Sequence, residues 1–342
     1  MPATVISPII AGDVLAAGLR SDFWDMWIGM SREVEAAVKD VMQLGVPSDK
    51  LTEIYGYFES SPYPVRWPRG TPISSDAIDS VAWNVTNLDW GRRVGWHVND
   101  RMDDQTQSLY EAAQGAGEHW ATLPERILFQ IMTGGTDPDL LPSIPLDPTG
   151  VPLYSTTGPD ALPRFGTPTL GNSVPTSGVD SAEEIERDYI RVMSQFRLFR
   201  NTKGQPLWND RVLDGGVTIF YNAQNQDPFW KAFSRGRTVA TIQNVAGTEN
   251  VGGATPTNVI LESGQKVTLR PTQRIVDDSW YVFLNAAPRK AIFQQERQPV
   301  FETIATWETS DHTRNTGEEY IQWKSREGYG IAVPYQTIKV AA

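Results

Sequence analysis

The sequence predicts a mixed α+β protein, on three observations. Long stretches at 12–44, 104–132 and 180–199 carry apolar residues at three-to-four spacing. Shorter stretches between 81 and 98, 216 and 222, 279 and 286, and 290 and 340 alternate or are apolar throughout, as strands do. The two kinds are interleaved irregularly and no internal repeat is present. The 342 residues suffice for one large or two ordinary domains with a sizeable core.

In the first stretch Trp24, Trp27, Ile28, Val34, Ala37, Val38 and Met42 line one side of a helix. "LGVPSD" breaks the pattern, with Gly45 as a C-terminal cap and Pro47 beyond it. Such a stripe packs either on the chain's own core or, as an arm, on another subunit. In "YFESSPYPVRWPRGTPISSD" (57–76) prolines and a glycine exclude a regular element. A ribbon follows. Val81, Trp83 and Val85 share one parity, and a turn is expected near Thr86–Asn87. Leu88, Trp90, Arg92, Val94, Trp96 and Val98 then share one face, with Asp89, Arg93, His97 and Asn99 opposite. The second arm of about 11 residues would span roughly 35 Å. A lone hairpin is marginal in water, so it must lie on its own domain or on a neighbouring subunit.

The period changes at Asp103–Asp104, where negative charge suits a helix start. Leu109, Ala112, Ala113, Ala116, Trp120, Leu123, Ile127, Leu128 and Ile131 keep helical spacing to the "TGG" at 133–135. Gly115, Gly117 and Pro124 are expected to bend or interrupt that helix. Residues 134–180 hold nine of the 24 prolines and read as a long loop region. Ser181 and Glu184 form a capping box for a helix with Ile185, Tyr189, Val192, Met193 and Phe196 on its apolar side. "GVTIFYN" reads as a buried strand. "DPFWKAF" reads as a short helix with Asp227 as N-cap and Pro228 behind it. The loop 247–258 precedes further strands in "VILESGQKVTLRP", "SWYVFLNA", "KAIFQQERQPVFETIATWE" and "YGIAVPYQTIKV".

Composition excludes several classes of function. There is no cysteine, hence no disulfide, thiolate metal site or thiol nucleophile. His97, His119 and His312 lie far apart, and no metal site or cofactor is expected. Phosphate-loop, dinucleotide and nucleophile-elbow motifs are missing. The carboxylate pairs Asp103/Asp104, Glu183/Glu184, Asp277/Asp278 and Glu318/Glu319 read as helix starts or solvated faces. The net charge of −11 opposes general nucleic-acid binding. The first twenty residues lack a basic n-region and Asp13 interrupts their apolar run, so neither signal peptide nor membrane span is expected.

Taken together, "YPVRWPRG" (63–70), "WNVTNLDWGRRVGWHVNDRMDDQTQSLYE" (83–111) and "LPERILFQIMTGG" (123–135), with "DPTGVPLYS" and "SWYVFLNAAPRKAIFQQERQPVFE", resemble in order the major capsid proteins of tailed phages. The resemblance is to the HK97-like shell fold, and within it to the Mu-like major head subunit family. Pro68 and Arg69 stand where that family has a small residue and Gly, and 156–278 matches poorly. The resemblance implies an N-terminal arm (1–57), an extended E-loop hairpin (58–100), a peripheral domain with a long spine helix (101–185 and 296–342) and a mixed α/β axial domain (186–295). It implies a non-enzymatic subunit that self-assembles into pentamers and hexamers of an icosahedral head, is made in the host cytoplasm and ends in the virion. Such a shell encloses DNA without specific binding, and its partners would include scaffold, portal and decoration proteins. Inter-subunit contacts would fall to Arg66, Trp67, Arg69, Trp90, Arg92, Arg93, Val94 and Trp96. One member of this fold class joins subunits through an E-loop lysine; residues 60–100 contain none, so no such bond is expected.

Two other readings stand beside it. Twelve Trp and the acidic pairs suit a carbohydrate-active enzyme or glycan-binding module. The same fold would also serve an encapsulin-like compartment or a gene-transfer particle.

Overall fold

The computed structural model describes residues 12–58, 80–99, 108–135, 137–148, 150–154, 171–200, 204–234, 266–307 and 309–342. These residues form two compact units, each discontinuous in sequence.

The first unit draws on 12–54, 84–128 and 293–330. Helix α1 (Gly12–Val38) supplies Leu15, Leu19 and Phe23 to its core. They meet Ala113, Ala116 and Trp120 of α2 (Ser108–Ala121). Phe23 stacks on Trp323 with ring centroids 4.2 Å apart. The two helices can approach closely because residue 117 is glycine: a Cβ there would lie 2.5 Å from the Phe23 carbonyl oxygen. The side of α1 that packs on the chain's own core is led by Leu15, Leu19 and Phe23; of the expected stripe, Val34 and Val38 are buried, Trp24 and Trp27 are half-buried against the core, and Ile28 is 42% exposed.

Beneath the helices lies a four-stranded sheet. Its strands are β1 (Met42–Pro47), β4 (Leu88–His97), β9 (Ile292–Ala305) and β10 (Glu318–Ile331), in the order β1-β9-β10-β4. Two expectations are corrected here. The helix ends at Val38, not near residue 44, and Met42–Pro47 is a strand. Its Gly45 at φ +69 and its Val-Pro pair have little helix propensity, and β9 offers a partner. Nor are the two arms of the expected ribbon paired with each other. Strand β3 (Ser80–Thr86) pairs with β2 (Thr52–Phe58), whereas β4 pairs antiparallel with β10. The chain changes sheets at Asn87. The Asn87 amide nitrogen donates to Ser48 Oγ (2.8 Å) and the Lys50 carbonyl (2.7 Å), and its oxygen accepts from Gln295 (3.0 Å).

The expected long helix is two. Helix α2 stops at Ala121 and α3 (Leu123–Thr133) begins with Pro124 in its second position, where no N–H is required. Gly134, at φ +73, closes α3 with an N–H bond to Gln130. The acidic pair at 103–104 lies outside the described residues.

The second unit draws on 55–83, 129–292 and 331–342. Its five-stranded sheet runs β5-β11-β8-β6-β7, with β5 (Ser173–Pro175), β6 (Val217–Asn222), β7 (Val267–Thr272), β8 (Trp280–Leu284) and β11 (Thr337–Ala341). Every residue of β6 and β8 is buried, as their apolar runs require. Helix α4 (Ala182–Leu198) covers one face with Ile185, Tyr189, Val192, Met193 and Phe196, and its capping box between Ser181 and Glu184 is formed. Two buried polar groups pin loops to this framework. Asn172 donates to the carbonyls of Leu153, Pro334 and Thr337. Asp188 accepts from Thr176 Oγ1, Ser177 N and Ser177 Oγ.

Short helices α5 (Asp210–Leu213) and α6 (Gln226–Ser234) flank β6. Asp227 is not the N-cap. A 3₁₀ turn at Ala223–Asn225, capped by Asn222, leads into the helix two residues earlier, at Gln226, and Asp227 pairs with Lys231. Helix α7 (Asp311–Thr316) joins β9 to β10. Among the described residues no helix is long and apolar enough to cross a membrane.

Candidate functional site

Strand β4 carries five of the eight contact candidates; Arg66, Trp67 and Arg69 lie outside the described residues. Alternation along the strand sets its faces. Trp90, Val94 and Trp96 turn inward to the core of the first unit, and Trp96 is 5% exposed. Trp96 Nε1 donates to Glu319 Oε2 at 2.7 Å, and Glu319 Oε1 accepts from the Trp307 backbone at 3.0 Å. Trp90 Nε1 donates to the Glu327 carbonyl at 3.3 Å. The apolar face of β4 is therefore covered by the chain itself.

Charge marks the outward face. The Arg93 guanidinium lies 3.7 Å from the centre of the Tyr320 ring and 4.0 Å from Glu318. Asp89 pairs with Arg326 at 2.5 Å. Arg92 is exposed and has no ion-pair partner among the described residues. Strand β4 also ends the sheet order, so its outer backbone edge pairs with no strand among the described residues. An edge strand flanked by charge resists indiscriminate pairing yet leaves a directed contact open.

The sequence reading missed β10. Glu318 and Glu319 are not a solvated pair: Glu318 is exposed and Glu319 wholly buried. "EEYIQWKSREGYGI" does alternate, and Ile321 and Trp323 mark the inward face on which Glu319, Ser325 and Glu327 also fall. Glu327 takes hydrogen bonds from Gln294 and Ser325. Burial pushes its carboxyl up to about 6, against those bonds and one from Tyr329, with Glu296 adding to the rise.

The other acidic pairs do structural work. Glu184 caps α4, Asp277 accepts from Ser279 Oγ at 2.8 Å and Asp278 from Asn225 at 3.0 Å. No group of three His, Asp or Glu that could hold a metal exists among the described residues.

No protein-family model matches the chain, and no curated protein matches it. Solved structures do. The capsid of the cyanophage P-SCSP1u is similar at a TM-score of 0.54 and 10% identity, over 89% of this chain and 87% of that one. The capsid of a native GTA particle is similar at 0.52 and 10%, over 90% of each chain. The mature capsid of bacteriophage PhiM1 is similar at 0.50 and 12%, over 88% of this chain and 85% of that one. At such identities the likeness establishes the fold, which is the HK97-like fold of phage capsid proteins.

Proposed function

We propose that the chain is a shell subunit: a major capsid protein that self-assembles into pentamers and hexamers of an icosahedral head. The observation that carries this reading is a fold shared with capsid proteins over nearly the full length of both chains. Catalysis forms no part of it.

Several features support it. Strands β2 and β3 make a two-stranded sheet of their own, too small to be stable unless it lies on other protein. We assign the extended loop to these strands and the residues between them. The first unit, with α2 and α3 as the spine, takes the peripheral role, and the second takes the axial role at the capsomer centre. Arg92, exposed although it shares the face of Trp90 and Val94, and Arg93 on the opposite face are contact residues of β4 in this reading, with Arg66, Trp67 and Arg69 from the loop. The net charge of −11, repeated over every subunit, repels the phosphates of packaged DNA. Within the fold we place the chain with the Mu-like major head subunits, on the order of the blocks at 63–70, 83–111 and 123–135. The virion is its destination, and scaffold, portal and decoration proteins are its further partners.

The test is particle size. Light scattering and negative-stain electron microscopy of the purified chain, over a range of salt and protein concentrations, are expected to show closed shells or rings of five or six subunits. A monomer throughout overturns the reading.

A further inference from the structure

Within the first unit, α1, β9 and β10 enclose much of a cavity of about 610 Å³, a volume usual for small-molecule sites. Trp24 and Trp27 of α1, both half-buried, form an apolar side of it, their rings meeting edge to face at 5.2 Å. Trp24 is fixed by an Nε1 bond to Glu302 at 2.9 Å. Three carboxylates also line the cavity: exposed Glu35 on α1, half-buried Glu296 on β9 and buried Glu327 on β10. Among the described residues no lysine, arginine or histidine lines it. Glu327 is only 6% exposed, and its carboxylate takes hydrogen bonds from Gln294 and Ser325 but meets no cation among the described residues. A buried carboxylate without a countercharge is costly, so the cavity favours a cationic occupant.

Spacing decides the form of the cation. No three acidic or histidine side chains among the described residues converge closely enough to hold a metal ion, so the three carboxylates call for separate positive charges. The indoles beside them suit methylene groups and attract ammonium. We propose that the cavity binds a linear aliphatic polyamine, its ammonium groups on Glu35, Glu296 and Glu327 and its methylenes across Trp24 and Trp27. Such an occupant ties helix α1 to strands β9 and β10 and stabilises the first unit by mass action. The site goes beyond the shell reading and does not depend on it. It carries a pH signature as well. Burial first, and the charge of Glu296 in addition, hold the Glu327 carboxyl up at about 6. Glu35 and Glu296 are the other titratable groups of the wall, and the parts of β1, α2 and α3 that complete it are uncharged. Tyr329 adjoins Glu327 on its own strand, and β4 sets Leu88 opposite it. An ammonium group here favours the ionised carboxylate, so binding releases a proton near pH 6 and tightens as pH rises through that value.

Spermidine, titrated calorimetrically into the full-length chain at physiological ionic strength, is the probe. The expected result is saturable binding at one site per chain, a raised thermal midpoint, and affinity several-fold weaker at pH 5 than at pH 7. Glu35→Gln with Glu296→Gln should weaken binding by about tenfold or more, and Trp27→Leu several-fold. Glu111→Gln with Glu118→Gln, exposed on α2 and outside the cavity, removes the same charge and should leave binding nearly unchanged. Hexanediol should not bind, and magnesium ion should not displace spermidine. If the cavity pair fails to fold, Glu35→Gln alone, at an exposed position, makes the same comparison. Equal weakening by the two double variants, or displacement by magnesium, would mean attraction to an acidic protein at large and overturn the site. The absence of saturable heat overturns it too.

Discussion

Two buried carboxylates on β10 behave oppositely at the scale of single residues. Glu319 has a bond from Trp96 on one oxygen and from the Trp307 backbone on the other. Removing its side chain strands the buried Trp96 donor and a part-buried backbone donor, so Glu319→Ala is expected to destabilise the fold by about 1–3 kcal/mol in urea denaturation. Glu327 has a folded pKa raised to about 6 from 4.5, so its contribution is fully present below pH 4.5 and is lost as pH rises through 6. That loss is about 2 kcal/mol by pH 7.5. Glu327→Gln keeps an acceptor for Gln294 and cannot ionise. Its stability should lack this fall between pH 4.5 and 6.5 and should match or exceed that of the parent at pH 7.5; an unchanged pH slope would assign the fall to another group. Neither role was legible beforehand. A buried Glu is rare enough that adjacent acids read as solvated, and only the alternation around Ile321 and Trp323 argued otherwise.

At the scale of elements, patterning was most legible where one face decides. The five apolar residues expected on α4 are the five buried there with Asp188, and its capping box is formed. The run 217–222 is buried throughout. Legibility failed where pairing is non-local. The alternation at 81–85 and 88–98 is real, but nothing local distinguishes a hairpin from two strands that leave Asn87 for different sheets. The packing of α1 on α2 offers a direct check. Alanine exceeds glycine in helix propensity by about 1 kcal/mol, yet at position 117 the added methyl would strike the Phe23 carbonyl at 2.5 Å. Gly117→Ala is therefore expected to lower stability by about 1–3 kcal/mol, read from the thermal midpoint, whereas Gly115→Ala, with open space around it, should raise it.

For the whole molecule, one expectation concerns how particles come apart. Residues 60–100 hold no lysine, so assembled shells boiled in detergent should yield a single band near 38.1 kDa rather than a ladder. The fold was legible from the joint order of blocks along the chain, and both units are completed by distant segments, as the expected return of 296–342 to an earlier part of the chain requires of one of them. The first needs 293–330 to supply β9 and β10, and the second needs 331–342 to place β11 between β5 and β8. Deleting residues 331–342 is accordingly expected to abolish cooperative unfolding rather than merely shorten a terminus. The same arrangement has a meaning in time. Neither unit can close before residues 293–330 and 331–342, respectively, have left the ribosome, so a nascent chain lacking them has no finished surface to offer its neighbours on the same message. In a shell subunit, self-association would thereby wait for residues 293–342, and the clock that defers it is their place along the chain.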